Sequence, residues 1–192
     1  MSADAILKVT RALKDRLDAA LAGNFGKVFV GPLDDADASG APLILFLYRI
    51  VPNSSLRNRE HRVATGKPQP PVQVFQNSLP LDLYFLVTVG TTPESSEETL
   101  LHALGLAMQA MQLDPELHLP VTSQETVHVS LEPLTTDESS RIWALFPTAN
   151  YRTSIAYLAT PVWIDPPKPE AQGPRVVQDR LLAGAVASEV GA

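Results

Sequence analysis

The chain has 192 residues, of which 15 are Lys or Arg and 21 are Asp or Glu, and its net charge is -6. Apolar residues make up 45% and charged residues 19%, a balance typical of one soluble globular domain. The negative charge argues against broad binding to a phosphate backbone. The lack of cysteine excludes disulfides, thiolate nucleophiles and cysteine-rich zinc sites. Because of the negative net charge, we expect no nucleic-acid partner.

Targeting and membrane segments are also not predicted. Residues 1–17 read MSADAILKVTRALKDRL, and charges interrupt the apolar residues every few positions, so no signal-peptide stretch is expected. No run reaches the roughly eighteen apolar residues that a membrane span needs. We expect the chain to fold in the cytoplasm without membrane insertion.

The first half of the chain predicts a helix and three strands. Apolar residues recur at helical spacing over residues 4–22, which predicts an amphipathic helix ended by Gly23 and Gly26. Residues 27–30 predict a short strand. Residues 43–51 and 81–89 are nearly continuous apolar runs, which is typical of strands buried on both faces.

The segment between the two apolar runs is the least regular part of the domain. Residues 53–77 contain three arginines and Lys67, and prolines follow them. This composition predicts a long functional loop with at most one short edge strand.

The second half predicts two helices, each with a capping box. Ser95 and Glu98 have the spacing of the first box, and that helix should end near residues 114–115. Thr135 and Glu138 have the spacing of the second, which begins a short helix. Both boxes precede an apolar stripe, so both helices should pack on the sheet.

Two further strands are predicted around the short helix. Val127, Val129 and Leu131 alternate with polar residues, which indicates a strand with one wet face. Residues 154–164 are also strand-like, but Pro161 cannot donate a ladder hydrogen bond, so this strand should be an edge strand or carry a bulge.

The order of elements predicts the fold class. Helices and strands alternate irregularly, which indicates a single α/β (α+β) domain over residues 1–165, with a mixed, mainly antiparallel sheet flanked by helices. Residues 166–192 contain four prolines in their first nine positions, and we expect them to form an extended arm.

Several partial motifs lack a residue or a spacing that their chemistry requires. Residues 35–40 copy the opening of a calcium-binding loop, but Phe46 stands where the closing carboxylate is required. Residues 23–27 lack the spacing of a phosphate loop, and the histidines lack the close pairing that binds zinc. We expect no enzyme activity, no cofactor and no metal. A hydrolase with paired carboxylates stays open, because such pairs assemble only in space.

A basic stretch stands out in this acidic chain. Residues 57–62 read RNREHR, so they contain Arg57, Asn58, Arg59 and Arg62. Two interpretations have equal weight. The stretch is either a solvated loop or an electrostatic patch that docks on an acidic protein surface.

Four segments resemble a known family when they are taken together and in order. They are LYRIVPNSSLRN at 47–58, LPLDLYFLVTVG at 79–90, LLHALGLAMQAM at 100–111, and SSRIWALFPTANYRTSIAYLATPVWID at 139–165. These segments are similar to the cap or tail-terminator proteins of extracellular contractile injection systems, which are phage-tail-like particles. The resemblance covers residues 4–165.

The resemblance implies a structural role with protein partners. It implies a hexameric ring that binds the last ring of the inner-tube protein, contacts the sheath protein and ends polymerisation. The expected location is the cytoplasm during assembly and then the particle, with release from the cell left open. Arg57, Asn58, Arg59 and Arg62 are our candidates for contacts with the tube or a neighbouring protomer, and Arg175, Val176 and Val177 for a strand that reaches the sheath.

One alternative comes from another functional class. The chain could be a monomeric domain that binds a small molecule or a peptide. A pocket with shifted titratable groups would favour binding or catalysis, whereas broad flat surfaces and a free tail would favour a cap.

Overall fold

The computed structural model describes residues 3–23, 25–64, 72–91, 96–119 and 125–173. Within them lie three α-helices and a short 3-10 turn, which are α1 Ala5–Ala20, α2 Glu97–Leu113, α3 Thr136–Ala144 and the turn Ala36–Ala38. The strands are β1 Phe29–Val30, β2 Leu43–Pro52, β3 His61–Ala64, β4 Val72–Phe75, β5 Leu79–Val89, β6 Glu116–His118, β7 Thr126–Glu132, β8 Ser154–Ile164 and β9 Ala171–Gly173.

Six strands form the main sheet, in the order β1-β2-β5-β8-β7-β6. β1 pairs with β2 in parallel, and the other neighbours pair antiparallel. The predicted α/β fold with a mixed, mainly antiparallel sheet is therefore confirmed. The short strand β6 was not predicted, because three residues are too few to show a period.

Helices cover both faces of this sheet. α1 and α2 pack on one face, where Leu13 and Ala103 meet Phe85 of β5 in the larger core. α3 packs on the other face, where Trp143 lies in a smaller core with Leu86. Neighbouring residues of β5 thus point into different cores, which is why its sequence is almost continuously apolar.

The first residues of α2 and α3 can be compared with the predicted capping boxes. The box at Thr135 and Glu138 is confirmed, since each side chain binds the backbone N–H of the other. The box at Ser95 and Glu98 is wrong by one position. Ser96 is the N-cap, and its Oγ accepts a hydrogen bond from the Thr99 N–H at 3.3 Å. Three hydroxyl or acidic residues precede this helix, so spacing alone did not identify the cap.

β8 lies inside the sheet and carries a bulge. It pairs with β5 on one side and, through Ala156–Thr160, with β7 on the other, so the strand as a whole is not an edge strand. From Pro161 onward it pairs with β5 alone. Leu81 faces Val162 while Leu83 faces Ala159, which leaves one extra residue on β8 around Pro161. The bulge alternative is therefore confirmed, and it accommodates the missing N–H of the proline.

A second sheet corrects the prediction of a long loop over residues 53–77. Two strands, β3 and β4, pair antiparallel within this segment, and β9 pairs with the other edge of β4. The three strands form one small sheet in the order β3-β4-β9. The sequence did not predict it because β3 and β4 have four residues each and their third partner lies about 100 residues later.

β9 also bears on the predicted arm. It lies within residues 166–192 and joins the small sheet through Val72, Gln73 and Val74 of β4. The predicted sheath contacts Arg175, Val176 and Val177 lie outside the described residues. The division of the chain at residue 165 therefore stays a prediction.

Candidate interaction surface

The structure brings the predicted basic residues together on one exposed segment. The chain turns after β2, and the side chains of Arg57, Asn58 and Arg59 are exposed in this turn. Arg62 follows on β3 and is also exposed. We call residues 57–62 the basic segment.

One acidic side chain lies within the basic segment. Arg62 Nη2 lies 3.0 Å from Glu60 Oε2, and both side chains are largely exposed. An ion pair of this kind contributes only about 0–1 kcal/mol to stability, because water screens it. The segment therefore keeps its arginines at the surface without a large folding role for their charges.

A polar contact at Asn53 ties the turn that leads into the basic segment to the main sheet. Asn53 Nδ2 donates to Asp82 Oδ1 at 2.9 Å, and Asn53 Oδ1 accepts from the backbone N–H groups of Ser55 and Leu56 at 3.1 Å. Thr160 Oγ1 also donates to Asp82. One asparagine thus holds the turn and ties it to β5 and β8.

A buried histidine fixes the other end of the segment. His61 is the first residue of β3, and its ring is almost fully buried. Its Nδ1 lies 2.7 Å from Asp165 Oδ1, and the same carboxylate oxygen accepts from Ser78 Oγ at 2.6 Å. The ring stacks on Trp163, with centroids 4.5 Å apart and planes at 9°. The small sheet is therefore joined to the end of β8.

A second carboxylate faces the same histidine. Glu125 Oε1 lies 3.3 Å from His61 Nε2, and both side chains are 8% exposed. A protonated imidazole can donate from both ring nitrogens, so it can interact with both carboxylates. Glu125 precedes β7, so this contact adds a third segment of the chain to the cluster.

His61, Glu125 and Asp165 also form a group whose ligand atoms lie within 4.8 Å of one another. A metal would bind the lone pair of one ring nitrogen, with the carboxylates on that side. Here the two carboxylates approach different ring nitrogens. Ser78 donates to Asp165 and not to the histidine, so it is not positioned as a nucleophile. The arrangement fits a structural ion-pair cluster better than a metal or catalytic site.

The charge state of Asp165 follows from its surroundings. Burial by itself raises the pKa of this carboxyl, but the lowering interactions together outweigh burial and hold the pKa below its usual range; the hydrogen bond with His61 is the largest of them, and the one from Ser78 is another. Asp165 is therefore ionised at neutral pH.

Sequence reasoning did not identify the cluster. In the sequence His61 was only one of the histidines that lack the close pairing typical of zinc ligands, and no local pattern indicates its distant carboxylate partner. Asp165 is 104 positions away from it. The one sequence signal for Asp165 as a site residue was its position directly after a predicted strand.

The structure also has an open groove on the α3 side of the sheet. It has a volume of about 730 Å³, and its ionisable side chains are Glu132 and Tyr151. Neither residue is near the basic segment in sequence, and the groove does not bring a set of titratable groups together.

Among the described residues, no helix has the length and apolar character that a membrane span requires.

These observations define a class, an α/β domain that presents a fixed basic segment beside a small second sheet. Two solved structures share the fold. One is the sheath/tube terminator of an extracellular contractile injection system, PVC, in its extended state, with 16% identity and a TM-score of 0.59. The other is the tube-terminating cap of the anti-feeding prophage, with 18% identity and a TM-score of 0.58.

The matches cover nearly all of this chain but less than two thirds of each of the other two. They span 95% and 91% of this chain, and 64% and 60% of the terminator and the cap. No curated protein sequence matches. The family model described as the Pvc16 N-terminal domain matches residues 8–178. The chain therefore belongs to the Pvc16 N-terminal domain family.

We predict that Asp165→Asn lowers the free energy of unfolding by about 3 kcal/mol at pH 7, because a buried histidine loses its charged partner. A carboxyl with a lowered folded-state pKa stabilises the fold above its unfolded pKa of about 3.9, and this contribution is lost as pH falls through the folded pKa. The difference between wild type and variant should therefore shrink towards pH 3. Urea unfolding at pH 7, 5 and 3 measures it.

Asp15→Asn is the matched control, since Asp15 is exposed on α1. It should change the unfolding free energy by less than about 0.5 kcal/mol at each pH. A difference for Asp165→Asn that stays constant from pH 7 to pH 3 would contradict the ionised cluster.

Proposed function

We propose that this chain is a structural, non-enzymatic terminator of a contractile injection system. It closes the distal end of the inner tube, anchors the sheath and ends polymerisation. The family match over residues 8–178 carries this proposal. The fold shared with a sheath/tube terminator and a tube-terminating cap supports it.

The proposed partners are further copies of the chain, the inner-tube protein and the sheath protein. Copies that contact one another head to tail close into a ring, and we propose a ring of six that matches the end of the tube. Such contacts need extended surfaces rather than a deep pocket. The chain would assemble in the cytoplasm and remain part of an extracellular injection particle.

We place the contact with the tube or with a neighbouring protomer at the basic segment. Asn53 fixes one end of the segment and His61 the other. A segment that is already ordered loses less conformational entropy on binding. Its arginines can then pair with an acidic surface, which favours correct register and fast association.

We place the contact with the sheath in the C-terminal arm. β9 ends at Gly173, where it pairs with Val72 of β4, and Arg175 follows two positions later in the sequence. The segment Arg175, Val176 and Val177 can add a strand to an exposed sheet edge of the sheath, because such addition uses main-chain hydrogen bonds.

Deletion of the gene tests the function as a whole. Without a terminator, polymerisation has no defined end, so particles purified from the deletion strain should have inner tubes of scattered length and bare or detached sheath ends. Electron microscopy of particles with and without the gene measures both properties. Particles of unchanged length with intact ends would contradict the terminator function.

A triple variant tests the basic segment. Arg57, Arg59 and Arg62 replaced together by Ala should leave the fold intact, because these side chains are exposed. The fraction of capped particle ends should fall at least about tenfold, which corresponds to a loss of about 1.4 kcal/mol in binding. Counting capped ends in the complemented deletion strain measures this fraction.

The matched control removes the same charge elsewhere. Arg11, Lys27 and Arg141 are exposed cations outside the basic segment and the C-terminal arm, and their joint replacement by Ala should leave capping near the wild-type level. Equal loss of capping in both triple variants would show an effect of net charge and not of the basic segment.

A truncation tests the arm. A stop codon after Gly173 keeps β9 paired with β4 and removes residues 174–192. The truncated chain should still cap the tube, while sheaths should detach from capped ends. Sheath attachment at the wild-type level, counted on the same images, would rule out the arm as the sheath contact.

A further inference from the structure

The small sheet stands apart from the two cores of the domain. None of the described side chains of β3, β4 and β9 belongs to the larger core or to the smaller one, although Val63 is only 6% exposed. β3 and β4 have four residues each, and β9 has three. A hairpin of this size is only marginally stable in water without further packing. The small sheet therefore depends on its attachment to the rest of the domain.

A buried polar cluster provides this attachment. The ring of His61, at the start of β3, lies on Trp163 of β8 and faces two carboxylates. Asp165 follows β8, and Glu125 precedes β7. Ser78, just before β5, donates to the same Asp165. We call His61, Ser78, Glu125 and Asp165 the His61 cluster. It joins one strand of the small sheet to three segments that flank strands of the main sheet.

The small sheet also connects the two parts of the chain that we propose for binding. The basic segment runs into β3 at one edge, since His61 and Arg62 belong to both. β9 forms the other edge, and residues 174–192 follow it in sequence. β4 lies between these strands and pairs with each of them. Order at one edge can therefore reach the other edge only through β4.

We propose that the small sheet is a separate cooperative unit, which the His61 cluster holds against the main sheet. Opening of the cluster frees β3 and β4 from the main sheet, and β9 loses its strand partner in the same event. The main sheet keeps both of its cores, because the small sheet contributes none of their residues. Such a unit opens as one, with a smaller free energy than unfolding of the whole domain.

The unit couples the two contacts that we propose for this chain, and this consequence rests on the proposed function. A partner that binds only the closed unit shifts the unit towards its closed form. A tube bound at the basic segment therefore also stabilises β9, which precedes the residues that we propose for the sheath. Because coupling between two sites is reciprocal, the tube contact and the sheath contact strengthen each other.

Amide hydrogen exchange of the purified full chain, followed by NMR, tests the unit directly. Amides that exchange through one shared opening have the same opening free energy, so the paired amides of β3, β4 and β9 should agree in protection within about threefold. Paired amides in the centre of β5 and β8 should be at least about tenfold more protected. Equal protection in both sheets would overturn the proposal, because the small sheet would then open only with the whole domain.

His61→Phe weakens the attachment, because it removes both ring nitrogens of the cluster and keeps an aromatic ring beside Trp163. Exchange in β3, β4 and β9 should accelerate by one common factor of at least about tenfold, while β5 and β8 stay within about twofold of wild type. β9 is the decisive strand, since it pairs with β4 and not with β3. Acceleration confined to β3, or loss of protection throughout the domain, would rule out a separate unit.

His128→Phe is the matched control, because His128 is an exposed histidine of β7 in the main sheet. The same substitution at this position should leave exchange in β3, β4 and β9 within about twofold of wild type. An acceleration of these strands as large as that of His61→Phe would contradict the role of the His61 cluster.

A change at the opposite edge tests the coupling in the reverse direction. The backbone N–H of Glu170, just before β9, donates to the Val74 carbonyl at 3.0 Å. Glu170→Pro removes this donor, whereas Glu170→Ala keeps it. Exchange in β3 should be about fivefold faster in Glu170→Pro than in Glu170→Ala, which corresponds to the loss of one hydrogen bond. Equal exchange of β3 in the two variants would show that β9 and β3 are not coupled.

The outcomes separate this unit from the terminator function. Exchange is measured on the isolated chain, so strands that open independently overturn the proposal while the terminator function stands. Particles that are unchanged by deletion of the gene would contradict the terminator function, and the exchange rates of the isolated chain would still decide whether the small sheet opens as one.

Discussion

The pairing of β5 with two long neighbours is the constraint on which the rest of the structure depends. β5 pairs with β2 on one side and β8 on the other over most of its length. Helices pack on both of its faces, with Phe85 in the larger core and Leu86 in the smaller. Since most residues of β5 are buried by one layer or the other, β5 fixes the relative positions of all three helices.

The polar contacts extend this frame to the surface that we propose for assembly. Asp82 lies on β5 and holds Asn53, and Asp165 follows β8 and holds His61. Both anchors therefore belong to central strands of the main sheet. A segment that is braced at both ends can present arginines in a fixed arrangement, although the arginines contribute little to stability themselves.

The proposed contacts with the tube and the sheath lie in different parts of the chain. We propose the basic segment for the tube or a neighbouring protomer, and the C-terminal arm for the sheath. Each proposed partner thus has a separate part of the chain.

The sequence by itself determined the long elements and the class of fold. The stripe of α1, the box at Thr135 and the apolar run of β5 depend on neighbours within a few positions, so local patterns predicted them. The four segments that resemble terminator proteins likewise gave the family. The basic segment was also located, since its arginines are adjacent in sequence.

Only the tertiary structure decided how distant segments meet. It paired β9 with β4, placed His61 against Asp165 and put α2 and α3 on opposite faces of the sheet. These contacts join residues that are far apart in the chain and whose strands are too short to show a period. These contacts are stabilised by burial and charge pairing between distant segments, so the local spacing of residues in the sequence does not predict them.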